Sequence, residues 1–166
     1  VATSGAGCTW TAATSTPWIT ITAGANGTGT ATVTVTVAAN TGPARQGTIT
    51  VTGMLPGQTF TFTVNQASGC SFILSPPTGG SFGIEGGSGS FNISTNAGCA
   101  WAATSNQNWL TVLGTSSGTG GGPISYRVDP SIFPSRTGKI TVKEPTGTNQ
   151  TEFNVSAPEN IFITGL

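Results

Sequence analysis

Apolar and polar side chains alternate along much of this chain with a period of two residues. In Ala31–Ala38 (ATVTVTVA), Val33, Val35 and Val37 share one face and Thr32, Thr34 and Thr36 the other, the pattern of a half-buried β-strand. Thr48–Gly53 (TITVTG) and Thr59–Asn65 (TFTFTVN) repeat it, turning Ile49, Val51, Phe60, Phe62 and Val64 inward. Between these two runs the Gly and Pro of Gly53–Gly57 (GMLPG) predict a turn. Pro123–Asp129, Lys139–Lys143 and Thr151–Ser156 alternate alike. No helical apolar period is sustained over about ten residues. The expected class is all-β, with short strands and glycine-rich turns building sandwiches of two antiparallel sheets.

The pattern occurs twice. Residues 92–166 repeat residues 1–75 at an offset of 91, so that Cys8 falls on Cys99, Trp10 on Trp101, Trp18 on Trp109, Arg45 on Arg136 and Phe62 on Phe153. The second copy has a lead-in, Cys70–Ser90, without a counterpart before Val1. The expected units are therefore 1–67, a sandwich missing its first strands, and 68–160, a complete one. Residues 161–166 (IFITGL) align with Cys70–Ser75 (CSFILS) and read as the first strand of a further unit.

Composition narrows the function. Charged residues are 6% of the chain and the net charge is zero, against about 25% charged in an ordinary domain. Residues 1–67 hold one charged side chain, Arg45. With no basic stripe to follow phosphates, nucleic acid is not an expected partner. No apolar run approaches the ~18 residues of a membrane-spanning helix, and membrane insertion is not expected. The sparse charge, the Thr, Ser and Gly richness and the paired cysteines suggest an extracellular or cell-surface setting. The glycine runs Gly86–Gly89 and Gly118–Gly122 have no following helix and no lysine to cradle a phosphate, and read as hairpin or bulge glycines.

At this point the residues resemble a family. Cys8-Thr-Trp10, Pro17-Trp18-Ile19-Thr20, Gly27-Thr-Gly29, Asn40-Thr-Gly, Arg45-x-Gly47-x-Ile49-x-Val51 and Phe62-Thr-Val64-Asn-Gln66 resemble BACON domains (Bacteroidetes-associated carbohydrate-binding, often N-terminal). The second copy matches through Cys70, Ser81–Ser90, Cys99-Ala-Trp101, Trp109-Leu-Thr111 and Arg136-x-Gly138-x-Ile140-x-Val142. It departs from the pattern in lacking the Gln after Phe153-Asn-Val155 and an Asn-Thr-Gly before Pro134. The resemblance implies two tandem immunoglobulin-like antiparallel β-sandwiches of about 90 residues, in secreted or surface proteins, with glycans as possible ligands.

The candidate chemistry is sparse. Histidine is absent, which removes the commonest general base. The carboxylates Glu85, Asp129, Glu144, Glu152 and Glu159 lie in the second half and form no recognisable glycosidase pair. No enzyme activity and no cofactor or metal is expected. Trp10, Trp18, Trp101 and Trp109 would be the platform if sugars stack here, but their repeat-equivalent places beside apolar strand residues suit core packing better. Tyr126, Phe133 and Phe162 are unique to one copy and are expected to be more exposed. Arg45 and Arg136 are expected to tie down loop carbonyls. Cys70 and Cys99, 29 positions apart, are expected to form a structural disulfide that clips the first strand of the second unit, worth ~3.5 kcal/mol by chain entropy. Cys8 is then left as an unpaired thiol. Asn26, Asn92, Asn149 and Asn154 begin Asn-x-Ser/Thr sequons, common by chance in so Thr-rich a chain.

Two functions follow. The first expectation is a non-enzymatic extracellular structural protein, the repeating unit of a surface fibre or stalk. Its partners would be copies of itself or neighbouring repeats, with Ile161, Phe162, Ile163 and Thr164 as a candidate donor strand for the missing strands. The second is a carbohydrate-binding module of a secreted or surface protein.

Overall fold

The structure is a computed structural model, and it describes residues 1, 7–53, 58–132 and 135–157. Among these residues every regular element is a strand. In order they are β1 (Thr9–Ala13), β2 (Ile19–Ala23), β3 (Asn26–Thr28), β4 (Thr34–Val37), β5 (Arg45–Gly53), β6 (Thr59–Gln66), β7 (Ile73–Ser75), β8 (Gly87–Ser94), β9 (Ala100–Ser105), β10 (Leu110–Leu113), β11 (Ser117–Thr119), β12 (Gly122–Val128), β13 (Arg136–Lys143) and β14 (Gln150–Ala157). The chain divides into two compact units, one of residues 1–40 and 44–68, the other of 41–43 and 69–166.

The second unit is a sandwich. One sheet runs β10-β12-β8-β7 and the other β11-β9-β13-β14, each antiparallel throughout. Alternation puts Phe91, Ile93, Leu110, Ile124, Tyr126 and Val128 of the first sheet against Trp101, Ala103, Ile140, Val142, Phe153 and Val155 of the second, all buried in one cluster. Each fully buried large apolar side chain here is worth roughly 1.5–3 kcal/mol. Tyr126, expected to be exposed, is buried. Its ring packs edge-on to Phe153 (centroids 5.4 Å) and Phe82 (5.9 Å), filling core space that the first unit gives to Val35.

The first unit contains the counterparts of six of those eight strands. One sheet, β3-β1-β5-β6, reproduces β11-β9-β13-β14, while β2-β4 reproduces β10-β12 alone. Nothing described stands where β8 and β7 stand in the second unit. Its buried cluster is correspondingly small: Trp10, Ala12, Ile19 and Ile49. The register pairs Ile49 with Phe62 and Val51 with Phe60, so both phenylalanines lie on the inward face, as their alternation predicts. Yet Phe60 is 67% and Phe62 65% exposed, because no described strand covers them.

Several sequence expectations meet limits. The strand expected over Ala31–Ala38 is shorter, Thr34–Val37. Met54–Gly57 of the expected turn, Phe133, Glu159 and the candidate donor strand Ile161, Phe162, Ile163 and Thr164 lie outside the described residues.

Candidate functional site

The residues that define the motif form two packing devices, each present in both units. In the first, a tryptophan lies across a glycine of the neighbouring strand. Trp10 pairs with Gly27 and Trp101 with Gly118, and a Cβ on those glycines would stand 2.6 and 2.7 Å from the indole Cζ2. The indole N–H then donates to the carbonyl two residues on, Gly29 (2.9 Å) and Gly120 (2.8 Å). Gly-Thr-Gly thus supplies clearance with its first glycine and an acceptor with its last, satisfying the one polar atom of a buried indole. Both Trp10 and Trp101 are 4% exposed. They are core residues and offer no ring face to a sugar.

In the second device an arginine covers a tryptophan. Residues two apart on a strand share a face, so Arg45 and Gly47 both meet Trp18, and Arg136 and Gly138 both meet Trp109. The guanidinium carbons lie 4.5 and 4.3 Å from the ring centroids, a cation–π distance. A Cβ on Gly47 would stand 2.8 Å from Trp18, and one on Gly138 3.0 Å from Trp109. Arg45 also donates to the carbonyls of Ala38 (2.9 Å) and Ala39 (3.0 Å) and, through Nε, to Gln66 Oε1 (2.8 Å). Arg136 donates to the carbonyl of Asp129. The position of Gln66 is Ala157 in the second unit, and Arg136 Nε is left buried without a hydrogen-bond partner. The departure from the motif at Ala157 therefore has a visible structural cost. Trp18 and Trp109 are half-buried, each with an arginine on a ring face.

The cysteines and carboxylates are also placed. Cys70 and Cys99 are joined in a disulfide, with Cα atoms 5.7 Å apart. Cys8 is free and exposed. Asp129 pairs with Arg127 (3.0 Å) and Glu152 with Lys139 (2.6 Å), both at the surface. Glu144 is buried beside Gly147 and accepts from Asn149 Nδ2 (3.3 Å). Among the described residues no cluster of three or more Cys, Asp or Glu side chains could hold a metal ion.

Sequence reasoning missed one surface. On the outward face of β13 and β14 an open cleft of about 510 Å³ is lined by Thr78, Gly79, Asn106, Thr137, Gly138, Lys139, Asn154, Val155 and Ser156. Two backbone contacts build its wall: Gly79 N–H donates to Asn154 O (2.7 Å) and Phe82 N–H to Ser156 O (3.1 Å). Asn106 Oδ1 accepts from Lys139 N–H (2.8 Å) and fixes the opposite side. Apart from Lys139 the lining is uncharged and rich in hydroxyl and amide groups, and it includes no aromatic ring. The alternation of Thr137/Lys139 and Asn154/Ser156 marks these residues as outward. Their closure by Thr78 and Gly79, about 60 to 75 residues away, left no local signal.

Comparison with known families decides the kinship. Residues 9–67 match the BACON model, described as "Putative binding domain, N-terminal", and residues 76–158 match the viral BACON domain model. The chain belongs to the BACON family. No curated protein matches it. Among solved structures, a Bacteroides ovatus GH5 xyloglucanase in complex with a XXXG heptasaccharide is 16% identical over 55% of this chain, with a TM-score of 0.46. The chain spans 19% of that enzyme's length. WR4, a C. elegans MSP family member, is 18% identical over 52% of this chain and 96% of its own (TM-score 0.41). Domains 4 and 5 of the S-layer protein SbsC are 14% identical over 90% of this chain and 70% of theirs (TM-score 0.41).

Proposed function

We propose that these tandem BACON domains act as a non-catalytic, glycan-contacting module of a larger extracellular or cell-surface protein. The observation that carries this reading is the cleft of the second domain. Its outward side chains, Thr78, Thr137, Asn154 and Ser156, are neutral donors and acceptors of the kind that match sugar hydroxyls. Its one cation, Lys139, is already paired with Glu152, which favours neutral over acidic saccharides. Family membership in a class of binding domains supports the same reading. The family tryptophans are not the contact surface in this proposal, because packing and arginine cover engage them. A cleft without a stacking ring gives weak binding, on the order of 1 mM or about −4 kcal/mol per site.

Calorimetry against a panel of neutral and acidic oligosaccharides tests the assignment. Binding of a neutral member, lost in Asn154→Ala/Thr137→Ala and kept in Phe62→Ser, is the expected result. Failure of every saccharide to bind at several millimolar, or binding indifferent to the cleft variants, would end it.

A second reading, a structural repeat assembled end to end, is favoured by one observation: the uncovered Phe60 and Phe62 of the first domain. In that reading Ile161, Phe162, Ile163 and Thr164 of a neighbouring copy would lie on this face, giving a head-to-tail contact that does not close on itself.

A further inference from the structure

The outward face of the β3-β1-β5-β6 sheet carries a hollow of its own. Pairing sets Trp10 opposite Gly27 on one side and Gly53 on the other. The indole turns into the core, so this row gives only backbone to the outer surface. The flanking rows carry the outward side chains, Thr9 with Thr28, and Asn26 with Thr11 and Thr52. Two rows separated by two residues, about 6.7 Å along a strand, thus wall a trough that runs across β3, β1 and β5. These eight residues enclose about 340 Å³, within the size range of ligand sites, roughly 300–1,000 Å³.

The lining defines the ligand. Thr9, Thr11, Asn26, Thr28 and Thr52 are exposed, and their hydroxyl and amide groups make no hydrogen bond to any described residue. None is charged, and Arg45, the one charged side chain of residues 1–67, lies over Trp18. An ionic ligand therefore meets no counter-charge from this domain. β1 is paired on both sides, to β3 and to β5, so a peptide finds no free ladder along the floor. What the walls present is four hydroxyls, one carboxamide and four threonine methyls, partners for the hydroxyl and C–H edges of an uncharged sugar. The strands do not require these residues. At the same places the second domain has Ala100, Ala102, Ser117, Thr119 and Lys143, which removes two hydroxyls and sets a lysine where Thr52 stands.

We propose that this trough is a second saccharide site, which takes a neutral oligosaccharide laid across β3, β1 and β5. Thr9 and Thr28 hold one edge of the sugar chain, and Thr11, Asn26 and Thr52 hold the other. The inference rests on the glycan reading of the chain, but on no residue of the cleft in the second domain. The two sites also differ in place: the cleft lies on β13 and β14, the counterparts of β5 and β6, whereas the trough lies over β1. Each domain thus has one site, built from different strands of the same sheet. With no aromatic ring to stack on, the trough binds weakly, on the order of 1 mM.

Amide NMR of the isotope-labelled full chain, titrated to several millimolar with cellohexaose, laminarihexaose, xylohexaose and mannohexaose, tests this. At least one probe should shift the amides of Thr9–Thr11, Asn26–Thr28 and Thr52 with a single dissociation constant, separately from those of Thr137, Asn154 and Ser156. The equivalent amides of β9 and β11 should stay still. Thr9→Ala/Thr11→Ala and, separately, Thr52→Lys bring in residues that the second domain already carries on these strands. Each should weaken binding at the trough at least ~10-fold, about 1.4 kcal/mol, and leave the cleft shifts unchanged, while Asn154→Ala/Thr137→Ala should do the reverse. Cleft shifts with a silent trough overturn this proposal and leave the cleft reading standing. Trough shifts with a silent cleft sustain it and sink the cleft reading. No shift at either place overturns both. Trough shifts indifferent to both sets of trough variants, or produced equally by hexagalacturonate, overturn the assignment of these hydroxyls to a neutral ligand.

Discussion

Phe91 lies stacked on Phe153 in the second domain, with ring centroids 4.1 Å apart and planes inclined by 25°, and among the described residues the first domain shows one half of that pair. Phe91 belongs to β8 and Phe153 to β14, so the stack is one of the contacts that close one sheet on the other. Phe62 occupies the equivalent of Phe153 and has no described ring above it. The same side chain at the same register position is thus a core anchor in one domain and a surface group in the other. Two substitutions separate the roles. Phe91→Ala should destabilise the second domain by about 3–5 kcal/mol, the range for emptying a packed aromatic site, while Phe62→Ser should change the first by less than ~1 kcal/mol. Hydrogen exchange in urea, read separately for β13 and β5, gives both numbers, and similar losses in the two domains would contradict the contrast.

The disulfide is the second point of difference. Cys70–Cys99 closes a loop of about 30 residues, which the chain-entropy model values at ~3.5 kcal/mol. Replacing both cysteines with serine should lower the stability of the second domain by that order and leave the first unchanged. A loss under ~1 kcal/mol would mean that β7 is held by its apolar contacts, Phe72 and Leu74, and not by the bond.

Much of this was legible in the chain, for identifiable reasons. Strict alternation at Thr59–Gln66 and Gln150–Ala157 fixes strand type and face, because a two-residue period admits no other regular structure. The offset of 91 matches each described strand of the first domain to one of the second, β1 to β9 through β6 to β14. Exposure was not legible: alternation says that Phe60 and Phe62 face inward, and only the neighbouring strands decide whether anything meets them. The roles of Gly27 and Gly118 were legible only in hindsight, through two Gly-Thr-Gly runs at the shared offset, 17 residues after each tryptophan. The polar cleft was not legible at all, since it depends on Thr78 and Gly79 lying along β14.

Gln66 and Ala157 provide a natural comparison at one position. Gln66 accepts from Arg45 Nε at 2.8 Å and donates to Ala38 O at 2.9 Å, and so joins the arginine to the loop before β5. Gln66→Ala should reproduce in the first domain the unpartnered Nε of Arg136. Because the site is part-exposed, water offsets some of the loss, and about 1 kcal/mol is expected. Chemical denaturation of the single variant measures it, and a loss below ~0.3 kcal/mol would show that solvent replaces Gln66 fully.

The close approach of Trp101 to Gly118 makes a sharper demand. An alanine Cβ there would lie 2.7 Å from Cζ2, so the indole must shift and strain its bond to Gly120. Gly118→Ala should cost about 1–3 kcal/mol, as overpacking does, and move the tryptophan emission. Gly122→Ala, where a Cβ meets nothing within 4 Å, is the control and should be close to neutral. Equal effects of the two would remove the clearance argument.

Tyr126 gives the chain a pH dependence at the alkaline end. Burial disfavours the phenolate and raises its pKa above the ordinary 10.0, partly offset by a hydrogen bond from the Gly80 backbone. The folded domain therefore holds the phenolic proton more tightly than the unfolded chain does. Below pH about 10 both states are protonated and the contribution to stability is fully present. Above it the unfolded chain loses its proton first, and stability falls as pH rises toward the folded pKa. Tyr126 is the single tyrosine of the chain, so absorbance near 295 nm follows its ionisation without overlap from another phenol. The expected titration lies above that of free tyrosine and coincides with loss of the second domain's exchange protection. Tyr126→Phe should remove this share of the alkaline decline. An unshifted titration, or an alkaline decline of the same steepness in the phenylalanine variant, would place the sensitivity elsewhere.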